Sequence, residues 1–230
     1  MMNLTGRDLA LSTAHWQRWL LRTKRFVRAS DLLNRLDPDQ AFVTGGAVRD
    51  FVLGRAADDV RDIDLIYTGD ISKLASDLRN RYVLGETLFG NPRVELGDGI
   101  TVDIFPPASP SRVALTLPDA LKCADMSGNS LALPLNCATV IDPNDGYRDL
   151  LRGRTRLLEA GWDAAPEIVA ALLRRVVDHS LRIGLTIQDL HIADVSCVTL
   201  SRIANGSLSP ELRAAVAHYR SWRTGVGPTG

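Results

Sequence analysis

Apolar positions change their spacing along the chain, and the changes mark its elements. Trp16, Leu20, Phe26 and Leu33 recur at roughly helical intervals, which predicts one amphipathic helix ending near Leu36, before the breaker Asp37-Pro38-Asp39-Gln40. Ala41-Phe42-Val43-Thr44 reads as a short buried strand, and Gly46 to Leu53 as a helix stopped by Gly54. Asp62-Ile63-Asp64-Leu65-Ile66-Tyr67 is strand-like, and the run from Asp70 to Arg81 is helical. Three strand-like runs follow: YVLGETLFG, PRVELG and ITVDIF. The last two flank Gly97-Asp98-Gly99, which predicts a hairpin. The pattern turns helical again from Leu117, a short helix follows the turn at Asp142-Pro143, and Pro166 to Leu185 is apolar at helical spacing. One or two further helices are expected up to Trp222. This order predicts an α+β fold, a mixed sheet backed by helices, over residues 1–160, with a short helical region over 161–230.

Composition narrows the class without naming a function. The 230 residues balance 27 basic against 27 acidic side chains, so no global charge drives the chain to nucleic acid. Local patches remain: six basic residues against Asp8 in the first thirty, and Arg148, Arg152, Arg154 and Arg156. Either could hold RNA phosphates or be a solvated face, and few aromatics interleave with them for base stacking. Cys123, Cys137 and Cys197 are far apart, which argues against a disulfide framework or a zinc site. With no run of 18 apolar residues and no leader-like segment, a cytoplasmic protein with no membrane partner is expected. His15, His179, His191 and His218 are scattered, and Ser127 has no histidine near it in sequence, so no nucleophilic triad is indicated.

The chemistry concentrates between Thr44 and Tyr67. Gly45-Gly46 joins a buried strand to a helix, where bare backbone can approach a ligand and N–H groups favour phosphate. Arg49 lies one turn further on. A tight turn without any ligand uses the same residues, and neither GxGxxG nor GxxxxGK[ST] is present. Asp62 and Asp64 project from one face of their strand, roughly 7 Å apart at the backbone. Such like charges are poorly tolerated without a cation between them, and Mg2+ suits two carboxylates plus substrate phosphates. A solvated acidic edge competes, since residues 50–70 hold six Asp and two Arg. Asp103 lies inside the apolar run ITVDIF, where it needs either a metal or an arginine partner. If its strand neighbours that of Asp62 and Asp64, the three suit two metal ions and an in-line phosphoryl displacement.

In order along the chain, Gly45-Gly46-Ala47-Val48-Arg49-Asp50, Val52-Leu53-Gly54-Arg55, Asp62-Ile63-Asp64-Leu65, Phe89-Gly90-Asn91, TVDIF, DALKCADMSGNSLAL and IDPNDGYRDLLRGRTR resemble the head domain of class II tRNA nucleotidyltransferases (CCA-adding enzymes) and bacterial poly(A) polymerases. The resemblance covers about residues 40–160 and implies a polymerase-β-like nucleotidyltransferase fold. It implies that Gly45, Gly46 and Arg49 bind the triphosphate of ATP or CTP, that Asp62 and Asp64, with Asp103, hold Mg2+ and carry catalysis, and that Asp125 and Asn129 contact the sugar or phosphates. The implied reaction moves NMP from an NTP to a hydroxyl at an RNA 3′ end.

The departures bear on substrate. Cys123-Ala124 stands where the family has two arginines, so two charge-assisted bonds to the nucleotide are missing. The spacing from Gly54 to Asp62 is longer than usual, and no Asp-x-x-Arg base-reading pair occurs between Pro166 and Leu185. The residues after 160 are also too few for the family's tRNA-holding parts. A small-molecule or protein acceptor therefore stands beside an RNA one, as does a nucleotide- or RNA-binding relative without turnover.

Overall fold

The computed structural model describes residues 13–22, 26–87, 90–107, 116–136, 140–156, 158, 176, 180 and 182–188. Within them the elements run α1 (Thr13–Leu20), α2 (Val27–Leu33), β1 (Ala41–Thr44), α3 (Gly46–Val52), β2 (Asp62–Tyr67), α4 (Ile71–Arg79), β3 (Val83–Glu86), β4 (Pro92–Gly97), β5 (Ile100–Phe105), α5 (Leu117–Lys122), β6 (Ala132–Pro134), α6 (Gly146–Leu151), β7 (Arg154–Arg156) and β8 (Thr186–Gln188). The α+β expectation holds. Most of the segment after residue 160, the domain boundary placed there and the helices expected up to Trp222 lie outside the described residues.

Six strands form one mixed sheet in the order β3-β4-β5-β2-β1-β6. The central pair, β2 and β5, is parallel, and every other pairing in this sheet is antiparallel. One face is apolar: Val43, Ile63, Leu65, Val94, Val102, Ile104 and Leu133 are buried in one cluster with Trp16, Leu20, Phe26, Leu32 and Val48 of the helical layer. That face closes the core and leaves the other for polar side chains. At the far end of the polar face, Phe42, Ile66 and Phe105 pack with Leu117, Ala120 and Leu121 of α5, so only the near end stays polar.

Local chemistry accounts for most element ends. Asp70 caps α4 by accepting the N–H groups of Ser72 and Lys73. Thr116 caps α5, and the Asp142 carboxylate accepts the N–H groups of Gly146 and Tyr147 at the start of α6. Gly54 ends the α3 region with φ at +67°.

Three features differ from the sequence reading. The first helix is two, α1 and α2. Leu20 and Ala29 are both buried, yet on one continuous helix nine residues make roughly two and a half turns and would place them on opposite faces. The strand β6 was not expected, because Leu131-Ala132-Leu133-Pro134 is too short to show a period. Likewise, Thr186–Gln188 forms a strand parallel to Arg154–Arg156, and Leu185 joins the main core, so this part of the expected helical region is tied to the head. Among the described residues no helix is long and apolar enough to cross a membrane.

Candidate active site

Register builds a polar row straight across the sheet. Arg93 on β4 stands opposite Asp103 on β5, Asp103 opposite Asp64 on β2, and Asp64 opposite Thr44 on β1. Residues in register share a face, so these four side chains line one side. A second row, two residues along, sets Asp62 beside Thr101 and Thr101 beside Glu95. Asp62 and Asp64 thus share the face that strand alternation predicts, and Asp103 comes alongside them because β5 neighbours β2.

Each carboxylate has its own surroundings. Asp62 is exposed and accepts a hydrogen bond from the Thr101 hydroxyl at 2.8 Å. Asp64 is half-buried, and its carboxylate faces the bare backbone of Gly45. Gly45 has φ +71° and ψ −145°, a conformation for glycine, and it passes the chain from β1 into α3 with no intervening loop. Asp103 is gripped at both oxygens by Arg93, through Nε and Nη2, each at 2.6 Å. This pairing holds the Arg93 guanidinium well above its usual pKa, and the negative charges of Asp62 and Asp64 add to the effect.

The remaining expected site residues form a buried network beside this row. Arg49 is 2% exposed. It donates to Asp50 Oδ1 from Nε at 2.9 Å and to Asn129 Oδ1 from Nη1 at 2.8 Å, and its Nη2 forms an ion pair with the same Asp50 oxygen at 2.8 Å. Asn129 in turn donates to Asp125 Oδ1 at 2.8 Å. The Thr44 hydroxyl donates to the Leu131 carbonyl at 2.7 Å. The structure therefore brings Gly45, Gly46, Arg49, Asp125 and Asn129 together. It also places the Arg49 guanidinium on protein partners on both sides, rather than open to solvent.

A second buried network braces this unit from behind. Asp149, 1% exposed, accepts from Ser127 at 2.8 Å, Arg154 at 3.1 Å and Arg156 at 2.7 Å. Thr155 receives the Gly128 N–H, and Gly146 packs so tightly that a Cβ would overlap the Ser127 carbonyl. Two members of the basic patch read from the sequence, Arg154 and Arg156, are thus ion-paired to the buried Asp149 while remaining partly exposed themselves.

Thr44 and Arg93 join the first row, and Thr101 the second, without having been singled out in the sequence. Thr101 precedes Asp103 by two residues and so shares its face, a signal that was there to be found. Arg93 could not be placed by counting from the turn. Gly97 pairs with Ile100, and an unbroken ladder from there would set Arg93 against Ile104; a bulge between Glu95 and Gly97 moves it to Asp103.

The donor set bears on which ion the site could hold. Asp62 and Asp64 offer hard carboxylate oxygens from one strand face, as Mg2+ requires. Asp103 in this arrangement spends both oxygens on Arg93, and among the described residues no three His, Cys, Asp or Glu side chains are grouped to hold one metal ion. The Asp62 and Asp64 pair fits the ion; Asp103 fits it only if Arg93 lets go.

Known proteins resemble this arrangement in sequence and in fold. A CC-adding tRNA nucleotidyltransferase from Synechocystis sp. is 31% identical over 127 residues, which is 54% of this chain and 29% of that protein. An A-adding tRNA nucleotidyltransferase from Geobacter sulfurreducens is 33% identical over 132 residues, 51% of this chain and 15% of that protein. The chain thus spans less than a third of either relative. A CCA-adding enzyme solved with CTP superposes with a TM-score of 0.65 at 22% identity, covering 87% of this chain and 49% of that one. The Thermotoga maritima CCA-adding enzyme solved with tRNA gives 0.64 at 21% identity, over 91% and 54% of the two chains. The family described as the Poly A polymerase head domain matches residues 41–156, from β1 through β7, and the chain belongs to that family.

Proposed function

We propose that this chain is the head of a Mg2+-dependent nucleotidyltransferase that moves NMP from ATP or CTP to a hydroxyl at an RNA 3′ end. One observation carries the proposal: Asp62 and Asp64 share a strand face, with Asp64 directly beside the side-chain-free turn of Gly45. That juxtaposition lets a triphosphate lie against bare backbone within reach of the carboxylates. Asp62 and Asp64 would hold Mg2+. When bound, the ion supplies activation of the attacking hydroxyl and neutralises charge on the transferring phosphoryl group.

The chain's own residues have separable parts in this scheme. Thr101 orients Asp62 through its hydroxyl. Gly45 and Gly46 leave room for phosphate oxygens. Arg49 acts through Asn129 and Asp125, holding that pair beside the turn. Asp125 and Asn129 are the groups we assign to the sugar or phosphates. The RNA acceptor is favoured by the two curated relatives, both named for adding nucleotides to tRNA. No comparable observation favours a small-molecule or protein acceptor. A cytoplasmic setting accords with the free thiol of Cys123.

The test is label transfer. Protein with Mg2+ and each α-labelled NTP is offered tRNA lacking all or part of its CCA end, other RNAs, and a small-molecule and protein extract. Transfer to RNA that vanishes in Asp62→Asn supports the proposal. Transfer confined to a non-RNA acceptor would replace the acceptor, and nucleotide binding without transfer to anything would leave a non-catalytic relative.

A further inference from the structure

Arg93 grips a carboxylate beside Asp62 and Asp64. Its two 2.6 Å hydrogen bonds take both oxygens of Asp103, the carboxylate standing in register with Asp64. The Asp103 side chain is 14% exposed and that of Arg93 39%, so the cation lies on the open side of the carboxylate. Two aspartates on adjacent strands repel, and a planar guanidinium offsets that repulsion with a bidentate grip. The backbone is built for this contact, since the bulge between Glu95 and Gly97 is what turns Arg93 toward Asp103.

We propose that Arg93 is a resident competitor for the divalent cation: it holds Asp103 in the nucleotide-free protein and exchanges with the ion when metal and nucleotide arrive together. The proposal rests on the metal-dependent reading of Asp62 and Asp64 above. It adds an order of events that this reading leaves open. Without nucleotide, the site has two carboxylates to offer and a fixed positive charge beside them, so a free divalent ion binds weakly. With nucleotide, the phosphates add oxygen ligands and give the released guanidinium a new anionic partner. Arg93 therefore guards the site against metal without substrate, and it is a positioning residue rather than a catalytic one.

The experiment uses Mn2+ alone as the probe, titrated into the nucleotide-free protein and followed by the free-ion signal in electron paramagnetic resonance. Arg93→Gln is expected to bind Mn2+ about tenfold more tightly than wild type, from loss of a bidentate competitor and of one positive charge. Arg93→Lys, which keeps the charge and loses the fork, is expected to gain about threefold; it carries the test if the glutamine variant fails to fold. The sharper signature is coupling. Asp103→Asn should lower Mn2+ affinity modestly when Arg93 is present, through the lost charge alone, and by clearly more when Arg93 is glutamine, where a ligand is lost as well. Equal or weaker Mn2+ binding by the Arg93 variants overturns the proposal. So does a loss from Asp103→Asn that is as large in wild type as in Arg93→Gln. Because no turnover is measured, absence of nucleotidyl transfer would defeat the function proposed above and leave this result standing. Intact transfer with unchanged Mn2+ affinity would defeat the competitor alone.

Discussion

A methyl group on Gly45 would lie 2.5 Å from Oδ2 of Asp64, closer than a side-chain Cβ and a carboxylate oxygen can sit. The same glycine has φ +71° and ψ −145°. Sequence position 45 is therefore constrained twice, by its own backbone and by the carboxylate opposite. Gly45→Ala is expected to lower nucleotidyl transfer by about a hundredfold or more, by displacing Asp64, and to cost roughly 1–3 kcal/mol of stability. Gly46→Ala is the comparison, since its Cβ would meet only the tip of Arg49 at 3.4 Å. Transfer rates of the two variants beside their thermal midpoints check this; a fully active Gly45→Ala would show that the close approach has no part in the reaction.

Arg49 separates a structural role from a phosphate-binding one. Its side chain is 3% exposed and bonded to Asp50 and Asn129. Arg49→Met leaves the Asp50 carboxylate without its partner, so a loss of roughly 3–5 kcal/mol is expected. Urea unfolding measures it. A variant that unfolds at the wild-type midpoint, with only a raised KM for the nucleotide, would instead mark Arg49 as a phosphate ligand.

Asp149 anchors the second network through Ser127, Arg154 and Arg156. Asp149→Asn removes the charge that two guanidinium groups share and is expected to destabilise the fold by roughly 2–4 kcal/mol. Denaturant midpoints report this. If stability is unchanged and RNA binding rises instead, the two released arginines belong to an RNA surface rather than to this network.

Thr101 tests the path from second row to reaction. Its hydroxyl is bonded to Asp62 at 2.8 Å. Thr101→Val is expected to slow transfer about tenfold at saturating nucleotide, the worth of one hydrogen bond to a charged group. The thermal midpoint should hardly move. An unaltered kcat would show that Asp62 needs no such orientation.

Much of this was readable in the chain because the signals were local. The alternation in Asp62-Ile63-Asp64-Leu65 put both aspartates on one face, and Gly97-Asp98-Gly99 announced a hairpin whose two glycines and Asp98 all take positive φ. The ordered motifs located the head. What stayed hidden was set by tertiary pairing. The bulge decides whether Arg93 meets Asp103 or Ile104, and nothing near Arg93 in sequence announces it. The buried pairing of Arg49 was not legible either, because it depends on Asn129, eighty positions away. The pairing of Arg154 and Arg156 with Asp149 was hidden too, because it depends on where α6 packs. The strands β6, β7 and β8 are three residues each, too short for a period to form.

The claim on which the rest depends is that Asp64 and its neighbour Asp62 carry a metal-dependent transfer. The direct measurement is incorporation of α-labelled ATP or CTP into tRNA lacking its CCA end, with Mg2+ present or chelated, by wild type and by Asp64→Asn. Asp64→Asn keeps the shape of the side chain and removes its charge, and its folding is checked by circular dichroism. Label transfer by wild type that needs the divalent ion, and that falls by about a thousandfold or more in the folded variant, is the expected result. Transfer that persists in Asp64→Asn, or that is indifferent to chelation, would contradict it.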